Sequence, residues 1–316
     1  MECVKKFLIG LVLATLGLAL SPVGIANADS GTSISISPVT KTLVLKPNEV
    51  YEDIFNITND GDEDMEFEIY ASPYSYVKKE GSDDYQLNFT EETLHTQITK
   101  WITFKNLDGE YVTTAEFVAK PHTTVAIKYR ISTPSNIPSG GQYAVLFART
   151  ITEEGGSGVR ANASPGMIIY GVADGKTARY AEIGEMKINQ ILTAEDGSTK
   201  RCVNASTVVK NYGNVDFAAA GIMEVKDIFG NVAYKTSSDQ ASILVLPDTE
   251  RVVSDAWENT PGFGIFNVSW TTYADDQEQT ITSLVVILSP TAIIVVFLLL
   301  TIITICVIMA VRKRKE

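Results

Sequence analysis

The sequence predicts an all-β chain: two tandem immunoglobulin-like β-sandwich domains followed by one C-terminal transmembrane helix. Three observations carry this expectation. Short runs rich in Val, Ile, Thr, Tyr and Phe alternate with turn residues. One ordered set of turn motifs occurs twice. Beyond the second set lies a long apolar segment bounded by a basic tail.

The strand runs come first. Ser33-Ile34-Ser35-Ile36 alternates strictly, and Thr42–Leu45, Tyr51–Thr58, Met65–Tyr70, Thr123–Ile131 and Gln142–Thr150 follow the same habit. Alternation of this kind places one face on a core and the other in water. No long amphipathic helix is expected; Thr90–Lys100 reads as one short helix, with Glu91 and Glu92 favouring its N-terminal dipole.

The repeat is more specific. Phe55-Asn56-Ile57-Thr58-Asn59-Asp60-Gly61 resembles Thr207-Val208-Val209-Lys210-Asn211-Tyr212-Gly213. Pro121-His122-Thr123-Thr124 resembles Pro247-Asp248-Thr249-Glu250, and Gly141-Gln142-Tyr143-Ala144-Val145 resembles Gly264-Ile265-Phe266-Asn267-Val268, in the same order. Asn and Gly tolerate positive φ and turn one strand into the next, while proline blocks strand extension. The interval from Gly61 to Pro121 is 60 residues and that from Gly213 to Pro247 is 34. The difference predicts an insertion near 72–100 in the first unit. The expected boundaries are 29–177 for the first domain and 178–289 for the second, with the join near Gly175–Arg179.

The ends read as membrane signals. Lys5 and Lys6, an apolar run Phe7–Leu20 and Ala26-Asn27-Ala28 have the three parts of a secretory signal peptide over residues 1–28, with cleavage expected after Ala28. Thr291–Val311 is 21 residues without a charge; as a helix it measures roughly 32 Å, enough to cross a hydrocarbon core. Residues 290–311 are therefore the expected anchor. Arg312, Lys313, Arg314 and Lys315 in the tail 312–316 orient it, leaving the C-terminus in the cytoplasm and both domains outside. Leu246-Pro247-Asp248-Thr249-Glu250 looks like a sortase signal, but Glu stands where Gly is needed, and it reads as a turn before a strand.

Composition bounds the function. The net charge is −12; with +1 in the signal region and +3 in the tail, the exterior carries −16, which excludes a nucleic-acid partner. The mean hydropathy of +0.08 is explained by the two apolar segments. Two His and three Cys support neither a His-rich metal site nor a disulfide framework. No nucleophile elbow, phosphate loop, HExxH or CxxC occurs, so the chain reads as a non-enzyme without a cofactor.

Candidate sites are few. The acidic run containing Asp60, Asp62 and Asp64 reads as a solvated hairpin turn, with a weak Ca²⁺ site as the alternative. Gly155, Gly156, Gly158 and Arg160 lie in a glycine-rich connection that reads as a flexible link or a partner-binding loop. Trp101, Trp257 and Trp270 read as core rather than sugar-stacking residues, and His95 and His122 as surface or rim residues. Alternation puts Cys202 on the more polar face of its strand, as a partly covered thiol.

Pro134-x-x-x-Pro138-x-Gly140-Gly141-Gln142-Tyr143-Ala144, preceded by Trp101-Ile102-Thr103-Phe104, resembles the first domain of the WxL-interacting proteins of Gram-positive bacteria. Asn211-x-Gly213-Asn214, Asp227-Ile228-Phe229-Gly230, Leu246-Pro247 and Pro261-Gly262-Phe263-Gly264 resemble a second domain of such proteins. The resemblance implies a bacterial envelope protein whose first domain contacts cell-wall polymer and whose second contacts surface proteins. Adhesion or scaffolding is the expected function. An extracytoplasmic accessory or sensory subunit of a membrane complex is the alternative. The final strand, Thr280–Ser289, runs almost directly into the apolar segment, so the second domain is expected to stand on the membrane.

Overall fold

A computed structural model describes residues 34–81, 85–151, 164–195, 198–237, 242–288 and 290–313. The first unit is two facing five-stranded sheets. One contains β1 (Ile34–Ser37), β3 (Val50–Asn59), β10 (Thr124–Ser132), β7 (Ile102–Lys105) and β8 (Tyr111–Val112), in that order. The other contains β2 (Thr40–Leu45), β12 (Gly166–Ala173), β11 (Gly140–Thr150), β4 (Met65–Pro73) and β9 (Thr114–Ala119). The chain changes sheets after β1, so that β2 pairs in parallel with β12 while β1 pairs antiparallel with β3. This first strand split between two otherwise antiparallel sheets is an immunoglobulin-like arrangement. The alternating strands turn Phe55, Ile57, Phe67, Ile69, Phe104, Ile127 and Leu146 into one core, all with no exposed surface.

The second unit repeats the plan with fewer strands. β13 (Ala181–Glu195), β14 (Ser198–Asn211) and β18 (Glu250–Trp257) form one sheet. β16 (Val232–Lys235), β15 (Phe217–Asp227), β19 (Phe263–Ala274) and β20 (Gln277–Leu288) form the other, with β17 (Ile243–Val245) on β15. Trp270 fills the centre with no exposed surface. Its indole N–H donates to the Thr207 hydroxyl at 2.6 Å, and that hydroxyl lies 2.8 Å from the Thr272 hydroxyl. Gly221 lies across from the ring: a Cβ there would stand 2.0 Å from Trp270 Cη2. Trp270→Phe keeps an aromatic ring but removes the donor, so it should lower unfolding stability by about 1–3 kcal/mol, read by denaturant titration.

The repeated turns are the same device twice. The Asn59 side-chain amide donates to the carbonyls of Glu63 (2.7 Å) and Ala119 (3.0 Å), and its Oδ1 accepts the Gly61 N–H at 3.0 Å. Asn211 does this with Val215 (2.8 Å), Val245 (2.9 Å) and Gly213 (2.8 Å). The backbone N–H of each donates to a threonine carbonyl at 3.0 Å, Thr123 in one unit and Thr249 in the other. Each threonine follows a residue with positive φ, His122 at 54° and Asp248 at 57°. Each asparagine is thus a buried pin between strands.

The region between β4 and β7 departs from expectation. The segment Thr90–Lys100 is not a regular helix; a 3₁₀ turn occupies Gln97–Trp101, and Ile98 is its buried residue. Thr93 and Thr96 explain the difference, because the Thr96 hydroxyl accepts the Thr93 N–H at 2.7 Å and holds the chain in a local turn. Ahead of it, β5 (Ser75–Lys78) and β6 (Tyr85–Asn88) form a separate hairpin.

Past β20, α1 (Pro290–Lys313) is a 24-residue helix separated from Leu288 by one residue. Its described side chains run unbroken only over Phe297–Met309. Among the described residues, no helix is long and apolar enough to cross a membrane. Arg312 and Lys313 close α1, while Arg314, Lys315, the signal segment and Ala28 lie outside the described residues.

Candidate functional site

The most elaborately built region is the seam between the two sandwiches. β11 opens on Gly140 and Gly141, and the Gly141 N–H donates to the Asn214 carbonyl at 2.6 Å. The approach is so close that a Cβ on Gly140 would sit 2.1 Å from that oxygen, and Gly140 itself has φ of 100°. Two residues on, the Tyr143 hydroxyl donates to Asp216 Oδ1 at 2.7 Å and accepts the Asp216 N–H at 3.0 Å. Burial, and then the adjacent Asp216 carboxylate, push the Tyr143 phenol far above its ordinary pKa, so it stays a neutral donor.

The inserted hairpin is part of the same seam. Tyr74 and Tyr143 share an apolar cluster with Leu246 of the second unit. The Arg251 guanidinium lies 3.8 Å from the centre of the Tyr76 ring. The Tyr85 hydroxyl donates to Glu250, which also pairs with Lys210 Nζ at 2.7 Å. Burial raises the Glu250 carboxyl, but Lys210 and Tyr85 outweigh it and hold the group below the usual carboxylate range. A depressed carboxyl stabilises the folded state above its unfolded pKa, and that contribution is lost as pH falls through the folded value. Acidification should therefore loosen this contact. Glu250→Gln should flatten the acid-side fall in melting temperature below about pH 5; an unchanged slope would show that the contact contributes nothing.

His95 corrects the sequence expectation. It is buried at 6% exposure rather than on a rim. Its Nδ1 lies 2.9 Å from the Gly141 carbonyl, which fixes Nδ1 as the donor, and Nε2 faces Asp248 at 3.4 Å. The ring is a strut between the insertion, β11 and the second unit. Hollows flank the seam: one of about 190 Å³ is lined by Tyr76, His95 and Asp248, and a wider one of about 800 Å³ by Tyr170, Arg179 and Leu244.

The seam also sets the long axis. In each unit the Asn-x-Gly turn lies at one end and the start of β11 or β19 at the other. The Gly141–Asn214 bond joins the β11 start of the first unit to the Asn-x-Gly turn of the second. The units therefore stand head to tail. The Asp60–Asp64 turn is at one extreme, and the pair Phe263–Leu288, followed by α1, is at the other.

At that far tip the acidic residues are dispersed among separate partners. Asp60 accepts from the Ser35 hydroxyl at 2.9 Å, Asp62 meets His122 Nε2 at 3.0 Å, and Asp64 pairs with Lys120 at 2.5 Å. Among the described residues no group of three or more His, Cys, Asp or Glu side chains could hold a metal ion. Gly155, Gly156, Gly158 and Arg160 lie outside the described residues. Trp257 and Trp270 are buried and Trp101 packs at the edge of the first core. Cys202 takes the face of Asn204 and Ser206, as alternation gives, but is buried at 5% exposure rather than partly covered. Beyond β18 the chain continues beside β14, where the Thr260 hydroxyl donates to the Arg201 carbonyl at 3.0 Å. The Leu246–Glu250 segment is a turn before β18, and its carbonyl at Leu246 accepts the Thr249 hydroxyl at 2.7 Å.

No family model and no curated protein matches the chain, so the likeness to WxL-interacting proteins rests on the motifs quoted above. Solved structures do match. One from a study of the chaperone–tip adhesin complex in CFA/I fimbriae biogenesis is 9% identical over 81% of this chain and 99% of its own, with a TM-score of 0.35. The class 5 fimbriae chaperone CfaA is 10% identical over 80% of this chain and 98% of its own, with a TM-score of 0.34. The E. coli chaperone DraB is 9% identical over 80% and 98%, with a TM-score of 0.32. The fold assignment rests on the strand order, not on these likenesses.

Proposed function

We propose that the chain is a membrane-anchored, extracytoplasmic partner-binding arm, serving adhesion or scaffolding at a cell envelope. The observation that carries this reading is the head-to-tail seam, because Gly141, Tyr143, His95 and Tyr85 each reach the second unit and make one stiff body of two sandwiches. A stiff body fixed at one end holds its other end away from the surface, where the Asp60–Asp64 tip meets partners. Anchoring is assigned to α1: fourteen of the residues in Thr291–Val311 are Ile, Val, Leu or Phe, worth roughly −4 to −8 kcal/mol of insertion. The basic residues from Arg312 onward set its direction.

The partner classes are cell-wall polymer and surface proteins. The full chain, held in detergent or nanodiscs, should retain one or both from a purified envelope fraction. Retention of other membrane subunits alone, through the helix, would instead support an accessory-subunit role.

A further inference from the structure

The end of the second sandwich from which α1 leaves is unusually apolar outside the core. Asp227 on β15 pairs with Phe266 on β19, and Phe263 on β19 pairs with Leu288 on β20. The β15–β16 turn, the start of β19 and the end of β20 therefore lie side by side, with neighbouring strands about 5 Å apart. This edge exposes Phe229 at 83%, Phe263 at 71% and Ile228 at 66%, with Leu288 and Ile265 also exposed. The core does not need these side chains, for Trp257 and Phe266 already close it beneath, their rings 5.1 Å apart.

The turn that presents Ile228 and Phe229 is built to stay in shape. Asp227 Oδ1 accepts the N–H groups of Phe229 (2.8 Å) and Asn231 (2.9 Å), and Asn231 Nδ2 donates to Oδ2 at 2.9 Å. Gly230 closes it at φ of 88°. An ordered turn offering two large apolar side chains to water is costly unless something covers them. What lies beside it is fixed by the chain: a single residue separates Leu288 from an apolar helix of 24 residues. A helix of that length measures about 36 Å; with α1 read as the anchor, that exceeds what a hydrocarbon core needs and puts its first turn at the lipid boundary.

We infer that Ile228, Phe229 and Phe263 enter the lipid interface around the start of α1 and seat the second sandwich on the bilayer. This rests on the reading of α1 as the anchor. The occupant is the bilayer that α1 crosses, because the exposed residues are continuous with the helix rather than on a side face. Apolar side chains at this depth add to anchoring and hold the tilt of the body, much as the apolar face of an interfacial helix does.

Full chains carrying Phe229→Trp or, separately, Phe297→Trp can be reconstituted in phosphatidylcholine vesicles, with emission taken as the difference from the parent. The Phe229→Trp indole should emit to the blue of an aqueous indole. It should lose at least about half its intensity to lipids brominated near the headgroup end, and little to aqueous iodide. Quenching of Phe297→Trp by brominated lipid together with iodide quenching of Phe229→Trp would overturn the seating and leave the anchor standing. If brominated lipid quenches neither, the anchor fails and the seating with it. A Phe229→Trp indole shielded from both quenchers would mean that protein, such as a second copy, covers the turn, which also overturns the proposal. Since Phe229 is 83% exposed, the substitution leaves the core unchanged.

Discussion

Replacing Asn211 with alanine should cost the second sandwich about 3–5 kcal/mol, because three buried hydrogen bonds disappear and the groups left behind have no water to replace them. The amide donates to the Val215 and Val245 carbonyls and its oxygen accepts from Gly213, all within 2.9 Å. Asn211 is also one residue from Tyr212, whose N–H donates to the Tyr180 carbonyl at 2.9 Å, so the turn loses its hold on the interdomain linker as well. Asn59→Ala should cost a similar amount in the first sandwich and leave the seam untouched, since that turn lies at the far end. Asp substitution at either site keeps the acceptor but not the donors, and should recover only part of the loss. Denaturant titration with domain-specific probes measures all of these; a loss below about 1 kcal/mol would mean that the pins are ornamental.

Gly140→Ala should uncouple the sandwiches. The added Cβ meets the Asn214 carbonyl at 2.1 Å, and the backbone at φ of 100° strains any L side chain. The obstacle is backbone rather than the end of a side chain, so relief requires the units to part. Calorimetry should then show two transitions where the parent has one, and the scattering envelope should widen. Gly109→Ala is a useful companion: it also has positive φ, 88°, but its Cβ would meet nothing nearer than Lys105 Cε at 3.8 Å. It should strain the β7–β8 turn without changing the seam.

The repeat was legible because each motif performs local chemistry that its residue types dictate. An Asn-x-Gly turn needs a side-chain amide whose oxygen accepts the N–H two residues on, and such spacing is visible along a chain. Neither glycine takes the positive φ expected of it, and Gly213 is instead a close approach, where a Cβ would stand 2.4 Å from the Ala178 carbonyl. The seam was not legible. Tyr85 and Glu250 are 165 positions apart, and His95 meets Gly141 across 46. No periodicity announces partners chosen by how two finished sandwiches abut. The insertion showed only as a length difference, and its Tyr74 and Tyr76 looked like ordinary strand residues. Cys202 is a related case: alternation gives the face a strand residue takes, not how deeply the finished fold buries it. At the acidic turn the charge pattern was visible, but the diversion of Asp60, Asp62 and Asp64 to Ser35, His122 and Lys120 depends on strands distant in sequence.

As proposed, the molecule is a stiff arm with one end on the bilayer. Nitroxide labels at Val232 and at Asp60, relaxed by gadolinium held on lipid headgroups around the reconstituted full chain, measure the two heights directly. With each sandwich contributing about 30–35 Å of strand length, Val232 should lie near the surface and Asp60 about 60 Å above it, in a narrow distribution. Equal heights, or a broad spread at Asp60 with Val232 fixed, would contradict it.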